Sequence, residues 1–258
     1  MKLVIMQART SSSRLPGKVL KPILGVPMLL RQIERVSRSK QIDNLVIATS
    51  VDPSDNEIEQ LCQTNRIECF RGSLDDVLDR FYQAATKFRP DHIVRLTADC
   101  PLADPDVIDH VIEFYEIGNF DYASNAIEPS FPDGLDVEIF RAECLYEAWK
   151  EATLPSEREH VTPFIHRHPA RYKIGHYKNT KDLSSLRWTV DEEADFQLVT
   201  HIYACLYPKN PDFRINDILA FLEENPHLKT INTQFRRNEG MEKSLKNDAS
   251  FLARTHLD

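Results

Sequence analysis

The sequence predicts an α/β protein with a doubly wound, mostly parallel twisted sheet that is flanked by helices. Short apolar or β-branched runs recur along the chain, and segments with helical spacing of apolar residues separate them. This alternation is typical of βα units that place successive parallel strands in one sheet. The length of 258 residues and the hydrophobic content of 41% provide enough core for one such domain.

Seven runs have the length and composition of strands. They cover residues 3–7, 45–49, 68–71, 92–97, 122–125, 137–140 and 186–190. Four intervening segments have helical spacing, at residues 28–37, 55–65, 75–87 and 104–117, and several of them begin with a residue suited to N-capping. The first half of the chain therefore indicates a nucleotide-binding type of sheet.

Two segments fall outside this alternation. Tyr172, Ile174 and His176 alternate within residues 170–177 and predict a further strand, either in a projecting hairpin or at a subunit contact. Beyond Thr233 the sequence is polar and charge-mixed with a periodic set of apolar residues, so we expect a helix packed on the surface. The predicted organisation is a single domain over residues 1–258, with residues 235–258 as a C-terminal helical extension.

Composition excludes several classes of protein. The formal net charge of −8 argues against a general nucleic-acid-binding protein, because contacts to phosphate backbones require a basic face. The five cysteines are odd in number and contain no CxxC pair, so they favour neither a zinc site nor a disulfide framework. No run approaches the roughly 20 apolar residues of a membrane span, and the run at residues 3–6 is too short for a signal peptide. We therefore expect a cytoplasmic protein without nucleic-acid or membrane partners.

The N-terminal region is locally basic although the whole chain is acidic. The first 33 residues contain six basic side chains and no acidic one. The predicted first strand leads into a loop with three serines, one glycine and the cations Arg9, Arg14 and Lys18. Backbone N–H groups, hydroxyls and such cations bind phosphate oxygens, so the loop predicts a triphosphate site. It lacks both the Walker A and the GxGxxG patterns, and a solvated basic loop is the alternative interpretation.

Two predicted strands are each followed closely by an aspartate, Asp99 after residues 92–97 and Asp191 after residues 186–190. The carboxyl ends of parallel strands form the usual ligand-binding edge, and Mg²⁺ prefers one or two protein carboxylates together with water and phosphate oxygens. We therefore predict that Asp99 and Asp191 share one magnesium ion, although a turn-forming role for Asp99 is the alternative. Nearby acids are predicted to stabilise helix N-termini: Asp104, Asp106, Glu192, Glu193 and Asp195.

Eight motifs, spread over nearly the whole chain, carry a resemblance to a known family. They are QARTSSSRLPGKVL at 7–20, VIATS at 46–50, FRGSLDDVLDRFYQAA at 70–85, VRLTADCPL at 94–102, PDGLDVEIF at 132–140, SEREHVTPFI at 156–165, RWTVDEEADF at 187–196 and RRNEGMEKSLK at 236–246. In combination they resemble the cytidylyltransferases that make CMP-activated acidic sugars, including CMP-ketodeoxyoctulosonate and CMP-sialic acid synthetases. The likeness is greatest to the spore coat polysaccharide biosynthesis branch.

The resemblance implies a Rossmann-like nucleotide-diphospho-sugar transferase fold and a homodimer that transfers CMP from CTP to an acidic sugar with the help of Mg²⁺. The nucleotide-binding residues that it implies are Gln7, Ala8, Arg9, Ser11, Arg14, Lys18 and Thr97. Arg9, Lys18 and Asp99 are the implied catalytic residues, and Asp99 and Asp191 the implied metal ligands. The octulosonate enzymes tend to have Gln-Gly-Asp where this chain has Thr97-Ala98-Asp99, so we expect different base or sugar contacts there.

For the acceptor sugar, the resemblance implies contacts from Arg71, Asp76, Arg80, Asp136, Glu157 and His160. A structural role is the alternative for several of them, since Asp76 has the position of a helix cap and His160 that of an exposed turn. The carboxylate of an acidic sugar needs a cationic partner. Arg71, Arg80 and Arg158 are the candidates.

Other functions are compatible with the same residues. A nucleotidyltransferase acting on a sugar phosphate with another nucleoside triphosphate would have the same sheet, cations and magnesium acids. A metal-dependent glycosyltransferase would use an Asp-x-Asp motif, and Asp104-Pro105-Asp106 has that spacing. A catalytically silent homologue is the third alternative; loss of Asp99 or Asp191 would favour it, and both are present.

Overall fold

The structure, a computed structural model, describes residues 1–255. Within them the strands are β1 (Lys2–Gln7), β2 (Pro22–Ile23), β3 (Val26–Pro27), β4 (Asn44–Ser50), β5 (Glu68–Gly72), β6 (His92–Thr97), β7 (Tyr122–Ser124), β8 (Glu138–Arg141) and β9 (Ile174–His176). The helices are α1 (Met28–Val36), α2 (Asn56–Asn65), α3 (Val77–Phe88), α4 (Pro105–Gly118), α5 (Ala142–Glu151), α6 (Pro155–His160), α7 (Pro163–His166), α8 (Glu193–Leu206), α9 (Ile215–Glu224) and α10 (Glu239–Thr255).

A seven-stranded sheet with the order β5-β4-β1-β6-β8-β7-β9 forms the centre of the molecule. The strands β5, β4, β1 and β6 are parallel, whereas β8 runs antiparallel to both β6 and β7. In this register Gln7 at the end of β1 lies beside Ala48 and Thr97. The carboxyl ends of three parallel strands therefore meet at one edge, and the amino end of β8 joins them there.

Alternate residues of β1 pack into cores on opposite faces of the sheet, as expected for a strand that is covered on both sides. Val4 and Met6 pack with α1, α4 and α8, while Leu3 and Ile5 pack with α3, α5 and α7. All four side chains are completely buried. This arrangement confirms the predicted doubly wound α/β fold.

Two of the predicted helices, α3 and α4, begin at capping residues that the sequence predicted. Asp76 accepts a hydrogen bond from the backbone N–H of Asp79 (2.9 Å) at the start of α3. Asp104 accepts a hydrogen bond from the backbone N–H of Asp106 (2.9 Å) at the start of α4, where Pro105 occupies the first helical position. Each cap replaces a hydrogen bond that the first helical turn lacks. The helical role of Asp104 is thus confirmed.

Six of the seven predicted main strands form, but the strand predicted at residues 186–190 does not. Only Arg187 makes an isolated bridge there, to Asp133. The backbone N–H groups of Trp188 and Thr189 donate to the Asp133 carbonyl (2.6 and 2.8 Å), and that of Val190 donates to the Asp99 carbonyl (2.8 Å). The segment is buried between two loops, so it has the apolar composition of a strand. Within residues 1–255 no partner strand pairs with it.

The prediction of a projecting hairpin at residues 170–177 is wrong. The strand exists as β9, but it pairs in parallel with β7 and extends the main sheet at its edge. A tight hairpin does form at β2–β3, which the sequence did not predict. Leu24 and Gly25 connect its strands with φ values of 50° and 75°, the positive values that a two-residue hairpin turn of type I′ requires.

The polar C-terminal region carries α10, which packs against α6. Ser244 and Asp248 are buried on the packed face of this helix, so it is held by polar as well as apolar contacts. Residues 256–258 of the predicted extension lie outside the described residues. Among the residues that are described, no helix has the length and apolar character to cross a membrane.

Candidate active site

A cavity of about 560 Å³ opens at the carboxyl edge of β1 and β6. Its walls come from the loop after β1, the loop after β6, the start of β8, the α6–α7 region and the segment that leads into α10. A volume of this size is typical of sites for small-molecule substrates. The chain therefore places these segments, together with α3 and residues 187–191, around one cavity although they are distant in sequence.

The loop after β1 is held in a defined conformation. The backbone N–H of Ala8 donates to the Ala48 carbonyl (3.1 Å), and the N–H and hydroxyl of Thr10 both donate to the buried carboxylate of Asp55 (2.8 and 2.9 Å). Gly17, with a φ of 67°, closes the loop by donating to the Thr10 carbonyl (2.9 Å). Gln7, Ala8, Arg9, Arg14 and Lys18 consequently line the cavity, whereas Ser11 is exposed and lies outside the lining.

Lys18 lies between the two predicted metal ligands. Its buried Nζ contacts Asp99 Oδ2 at 3.0 Å, Asp191 Oδ1 at 2.8 Å and the Val190 carbonyl at 2.8 Å. Burial raises the pKa of Asp99, but Lys18 and the hydroxyl of Thr97 (2.5 Å) outweigh it and hold the pKa at about 2. The same carboxylates raise the pKa of Lys18 against the opposing effect of burial. The structure thus brings Asp99, Asp191 and Lys18 together in direct contact.

A buried side chain from α1 holds the loop that carries Asp99. Gln32 Nε2 donates to the Thr97 carbonyl (2.8 Å), and Gln32 Oε1 accepts from the backbone N–H of Cys100 (3.1 Å). The amide therefore fixes both ends of the turn that presents Asp99. Nothing in the helical pattern of residues 28–37 distinguished Gln32 from a surface polar residue, and the sequence reading missed it.

Asp191 is surrounded by further cations. Arg14 Nη2 and Arg187 Nη2 lie 3.0 and 3.1 Å from its Oδ2. Arg187 is buried and also binds Asp133 (3.1 Å) and Asp195 (3.0 Å), so one guanidinium connects three carboxylates. The sequence reading assigned no role to Arg187. A signal for it exists in the sequence, since Asp191 and Asp195 follow Arg187 by four and eight residues.

The opposite wall of the cavity contains a second buried network, centred on Glu138. Arg95 forms an ion pair with Glu138, and its Nη2 donates to Gln7 Oε1 (3.1 Å). The hydroxyls of Tyr122 and Thr162 donate to Glu138 Oε1 (2.6 and 2.5 Å). Burial raises the pKa of Glu138, but Arg95 and the two hydroxyls outweigh it and keep the carboxylate ionised. This network orients Gln7 at the end of β1.

Three of the predicted sugar contacts line the cavity. They are Arg80, Asp136 and His160. Burial raises the pKa of Asp136 to about 7, more than its ion pair with Arg237 lowers it. Burial also lowers the pKa of His160, whose Nε2 lies 2.9 Å from Ser244 Oγ of α10.

The other three predicted sugar contacts hold structure outside the lining. Arg71 donates to the Ser50 carbonyl (2.8 Å) and binds Glu59 (2.7 Å) at the sheet edge. Asp76 caps α3 and binds Arg158 Nε (3.0 Å), while Glu157 Oε2 accepts from the N–H of Leu154 (3.2 Å). Their side chains satisfy local backbone groups and ion pairs, so their geometry does not favour sugar binding. The geometry of Arg158, which binds Asp76, does not favour sugar binding either.

The segment before α10 closes the cavity on its open side. Glu239 binds Arg14 (3.3 Å), Arg237 binds Asp136, and the Arg236 carbonyl accepts from Arg187 Nη1 (3.3 Å). The motif at 236–246 was recognised in the sequence, but its place in the cavity wall was not. Its contacts lie 49 to 225 residues away along the chain, beyond the range of local patterns.

Comparison with known proteins agrees with this geometry. Residues 3–239 match the sequence profile of the family described as Cytidylyltransferase. The chain belongs to the cytidylyltransferase family. It is 34% identical over 237 residues to the spore coat polysaccharide biosynthesis protein SpsF of Bacillus subtilis, covering 88% of this chain and 96% of the relative.

A solved structure and a relative that matches over about half of each chain extend the comparison. The structure of a cytidylyltransferase from Leptospira borgpetersenii matches with a TM-score of 0.84 at 30% identity, over 92% of this chain and 99% of that one. A 3-deoxy-manno-octulosonate cytidylyltransferase of Anaeromyxobacter dehalogenans is 33% identical over 118 residues, 45% of this chain and 47% of that protein. This cytidylyltransferase is therefore a nucleotidyltransferase enzyme, and the cavity is its candidate active site.

Proposed function

We propose that this cytidylyltransferase transfers CMP from CTP to a hydroxyl of an acidic sugar and releases pyrophosphate, in the biosynthesis of cell-surface polysaccharide. The observation that supports it most is the contact of Lys18 with both Asp99 and Asp191 inside a cavity of substrate size. The relative named for 3-deoxy-manno-octulosonate, which matches over about half of each chain, supports the acidic class of acceptor. By the same resemblance, we propose a cytoplasmic homodimer.

The loop after β1 supplies the charge that the departing group needs. In the proposed reaction a sugar hydroxyl attacks the α-phosphorus of CTP in line, the bond between the α- and β-phosphates breaks, and pyrophosphate leaves while the hydroxyl proton passes to solvent. Arg9, Arg14 and Lys18 offset the developing negative charge on the leaving group. Such transfer depends mainly on positioning and electrostatic stabilisation, so a dedicated general base is not required.

The donor set at the centre of the cavity fits magnesium. Asp99 and Asp191 direct one oxygen each at the same point, where Lys18 Nζ lies at 3.0 and 2.8 Å. Within residues 1–255 no cluster of three or more His, Cys, Asp or Glu side chains has a metal-binding arrangement, which suits an ion that uses two carboxylates with phosphate and water. Asp99 and Asp191 would hold Mg²⁺, which would offset the charge of the phosphate oxygens. Lys18 lowers the pKa of Asp99 and holds both carboxylates in place.

A pyrophosphate-release assay tests the proposal. The four common nucleoside triphosphates are each combined with ketodeoxyoctulosonate, its amino derivatives and nonulosonic acids in the presence of Mg²⁺. We expect release only with CTP and an acidic sugar, and we expect Asp99→Asn to abolish it with the fold intact by circular dichroism. Asp106→Asn, an exposed acid on α4 paired with Arg214 (3.3 Å), is the matched control and should retain turnover.

Each other outcome identifies a different enzyme. Release with a sugar phosphate and another triphosphate would replace the proposal with the broader nucleotidyltransferase. Transfer from a finished nucleotide-sugar, without any use of free triphosphate, would indicate a glycosyltransferase. Near-normal turnover of Asp99→Asn would remove the metal role from that residue.

A further inference from the structure

Four arginines line the cavity without a carboxylate partner in the described part of the chain. They are Arg9, Arg80, Arg167 and Arg236. A cation that faces a substrate cavity and lacks a protein counter-ion is suited to an anionic group of the substrate. The proposed reaction has two anionic substrates, and the position of each arginine relative to the sheet decides which one it faces.

Three of these arginines lie on the nucleotide side. Arg9 belongs to the loop after β1. Arg80 is buried on α3, and burial together with the nearby charge of Arg9 lowers its pKa to about 10. The backbone N–H of Arg236 donates to Glu239 Oε1 (3.1 Å), the same carboxylate that binds Arg14 of the loop (3.3 Å). All three are therefore neighbours of the triphosphate loop.

Arg167 lies on the other side of the cavity, directly after α7. Thr162 at the start of this region donates to Glu138 of β8, and β6 separates β8 from β1 in the sheet. The other basic groups of this wall are unavailable as cations. Arg95 is paired with Glu138, and burial lowers the pKa of His160 and brings that of His166 to about 4. Arg167 is thus the unbalanced positive charge of this wall within residues 1–255.

The Arg167 guanidinium is held in position by a hydrogen bond to α6. Its Nη1 donates to Ser156 Oγ (3.3 Å) of α6. Ser156 is completely buried, and its hydroxyl and backbone N–H donate to the two oxygens of Asp248 on α10 (2.5 and 2.8 Å). One guanidinium nitrogen is therefore oriented by a fixed acceptor, and the others remain available at the cavity. A guanidinium held in this way can bind a carboxylate through two parallel hydrogen bonds.

We infer that Arg167 binds the carboxylate of the acceptor sugar and is a specificity-determining residue for acidic over neutral sugars. The inference rests on the proposed function, because that function supplies the acidic acceptor. A neutral sugar would leave the guanidinium without its counter-ion. Discrimination between acidic and neutral sugars therefore comes from one group on the acceptor side. The triphosphate loop takes no part in it.

Steady-state kinetics of Arg167→Gln, with the acidic sugar that the wild type uses, test the inference. We expect the KM for the sugar to rise about 10–100-fold, the loss typical of a charge-assisted hydrogen-bonded pair, while the KM for CTP changes less than about twofold. Arg167→Lys should be intermediate, since it keeps the charge without the fork. Arg171→Gln is the matched control, because Arg171 binds Glu147 and Glu151 (2.8 and 2.6 Å) outside the cavity lining. The carboxamide analogue of the sugar should bind wild type and Arg167→Gln equally.

Calorimetric binding of the acidic sugar, in the presence of a non-reactive CTP analogue, separates this inference from the proposed function. An unchanged sugar KM in Arg167→Gln, with normal wild-type turnover, would overturn the inference alone. A rise confined to the KM for CTP would assign Arg167 to the triphosphate and would also overturn it. Sugar binding that depends on Arg167 without wild-type turnover would support the inference and contradict the proposed reaction. No sugar binding at all would contradict both.

Discussion

Lys18 is the residue whose surroundings say most about the site. A buried ammonium is unfavourable alone, but here two carboxylates and one carbonyl surround it within 3.0 Å. The lysine therefore balances charge at the point where the carboxylates converge and at the same time lines the cavity. In the proposed reaction, one side chain prepares the magnesium ligands and contacts the triphosphate.

Replacing Lys18 by alanine should damage both stability and nucleotide binding. The substitution leaves Asp99 and Asp191 facing each other without their shared cation, so we expect a loss of about 3 kcal/mol in unfolding free energy. We also expect CTP affinity to fall about 10–100-fold. Urea denaturation without Mg²⁺ and calorimetric CTP titration measure the two effects.

Lys21→Ala is the control for this change. Lys21 lies three residues further along and binds Glu193 (2.8 Å) at a partly exposed position, where an ion pair contributes at most about 1 kcal/mol. Equal losses in the two variants would show that the buried position of Lys18 has no special role.

The convergence of Lys18 and Asp99 was predictable because both follow strands whose carboxyl ends meet at one sheet edge. Asp191 was placed with them through a strand at residues 186–190 that does not form, and loop contacts bring it there instead. Arg95 and Gln32 were not predictable, because their partners are brought near only by the fold. Arg95 and Glu138 are 43 residues apart, and Gln32 and Cys100 are 68 apart. Composition marks such residues as polar and says nothing of what they bind.

At the scale of elements, the segment at residues 186–190 shows where local patterns fail. Its apolar sequence predicts a strand, yet its N–H groups bind the carbonyls of two loops. Gly134 makes this close approach possible. Its φ is 107°, and a Cβ there would lie 2.5 Å from the backbone nitrogen of Thr189. The six other predicted main strands were correct because each has a neighbouring strand in the sheet.

Gly134→Ala should therefore separate the loop from the segment that carries Asp191. We expect a loss of at least about 2 kcal/mol in unfolding free energy, from the backbone conformation and the clash together. Pyrophosphate release should fall as well, because Asp191 directly follows the displaced segment. Denaturant titration and the release assay are the measurements.

Gly25→Ala controls for the backbone conformation alone. Gly25 also has a positive φ of 75°, but no heavy atom lies within 4 Å of its Cβ position. We expect about 1 kcal/mol of destabilisation there. A Gly134 variant no less stable than the Gly25 variant would contradict the steric argument.

At the scale of the whole molecule, stability should depend on pH through the acceptor-side wall. Burial, with the nearby arginines, lowers the pKa of His166 to about 4, despite the opposing effect of Glu138. The folded state thus excludes a proton that the unfolded state binds below about pH 6.5. A depressed folded pKa means that stability is complete above the unfolded value and is lost as pH falls toward 4.

His166→Gln should remove this contribution. At pH 5 the imidazole is protonated in the unfolded chain and neutral in the folded one, a difference of on the order of 1–2 kcal/mol against folding. We expect the variant to lose less stability than the wild type between pH 7 and pH 5, as measured by urea denaturation. His201→Gln, an exposed histidine on α8, is the control. Parallel pH profiles for wild type and His166→Gln would refute the expectation.

The contact between Arg14 and Glu239 has a consequence for the order in which the site is assembled during translation. The two residues are 225 positions apart, and roughly 5–20 residues are added per second, so about 11–45 s separate their synthesis. The nucleotide loop thus emerges long before the segment that closes the cavity. A nascent or prematurely terminated chain presents its basic loop without the acid that binds it in the finished protein. The cavity wall is therefore complete only after residues 236–239 have been synthesised.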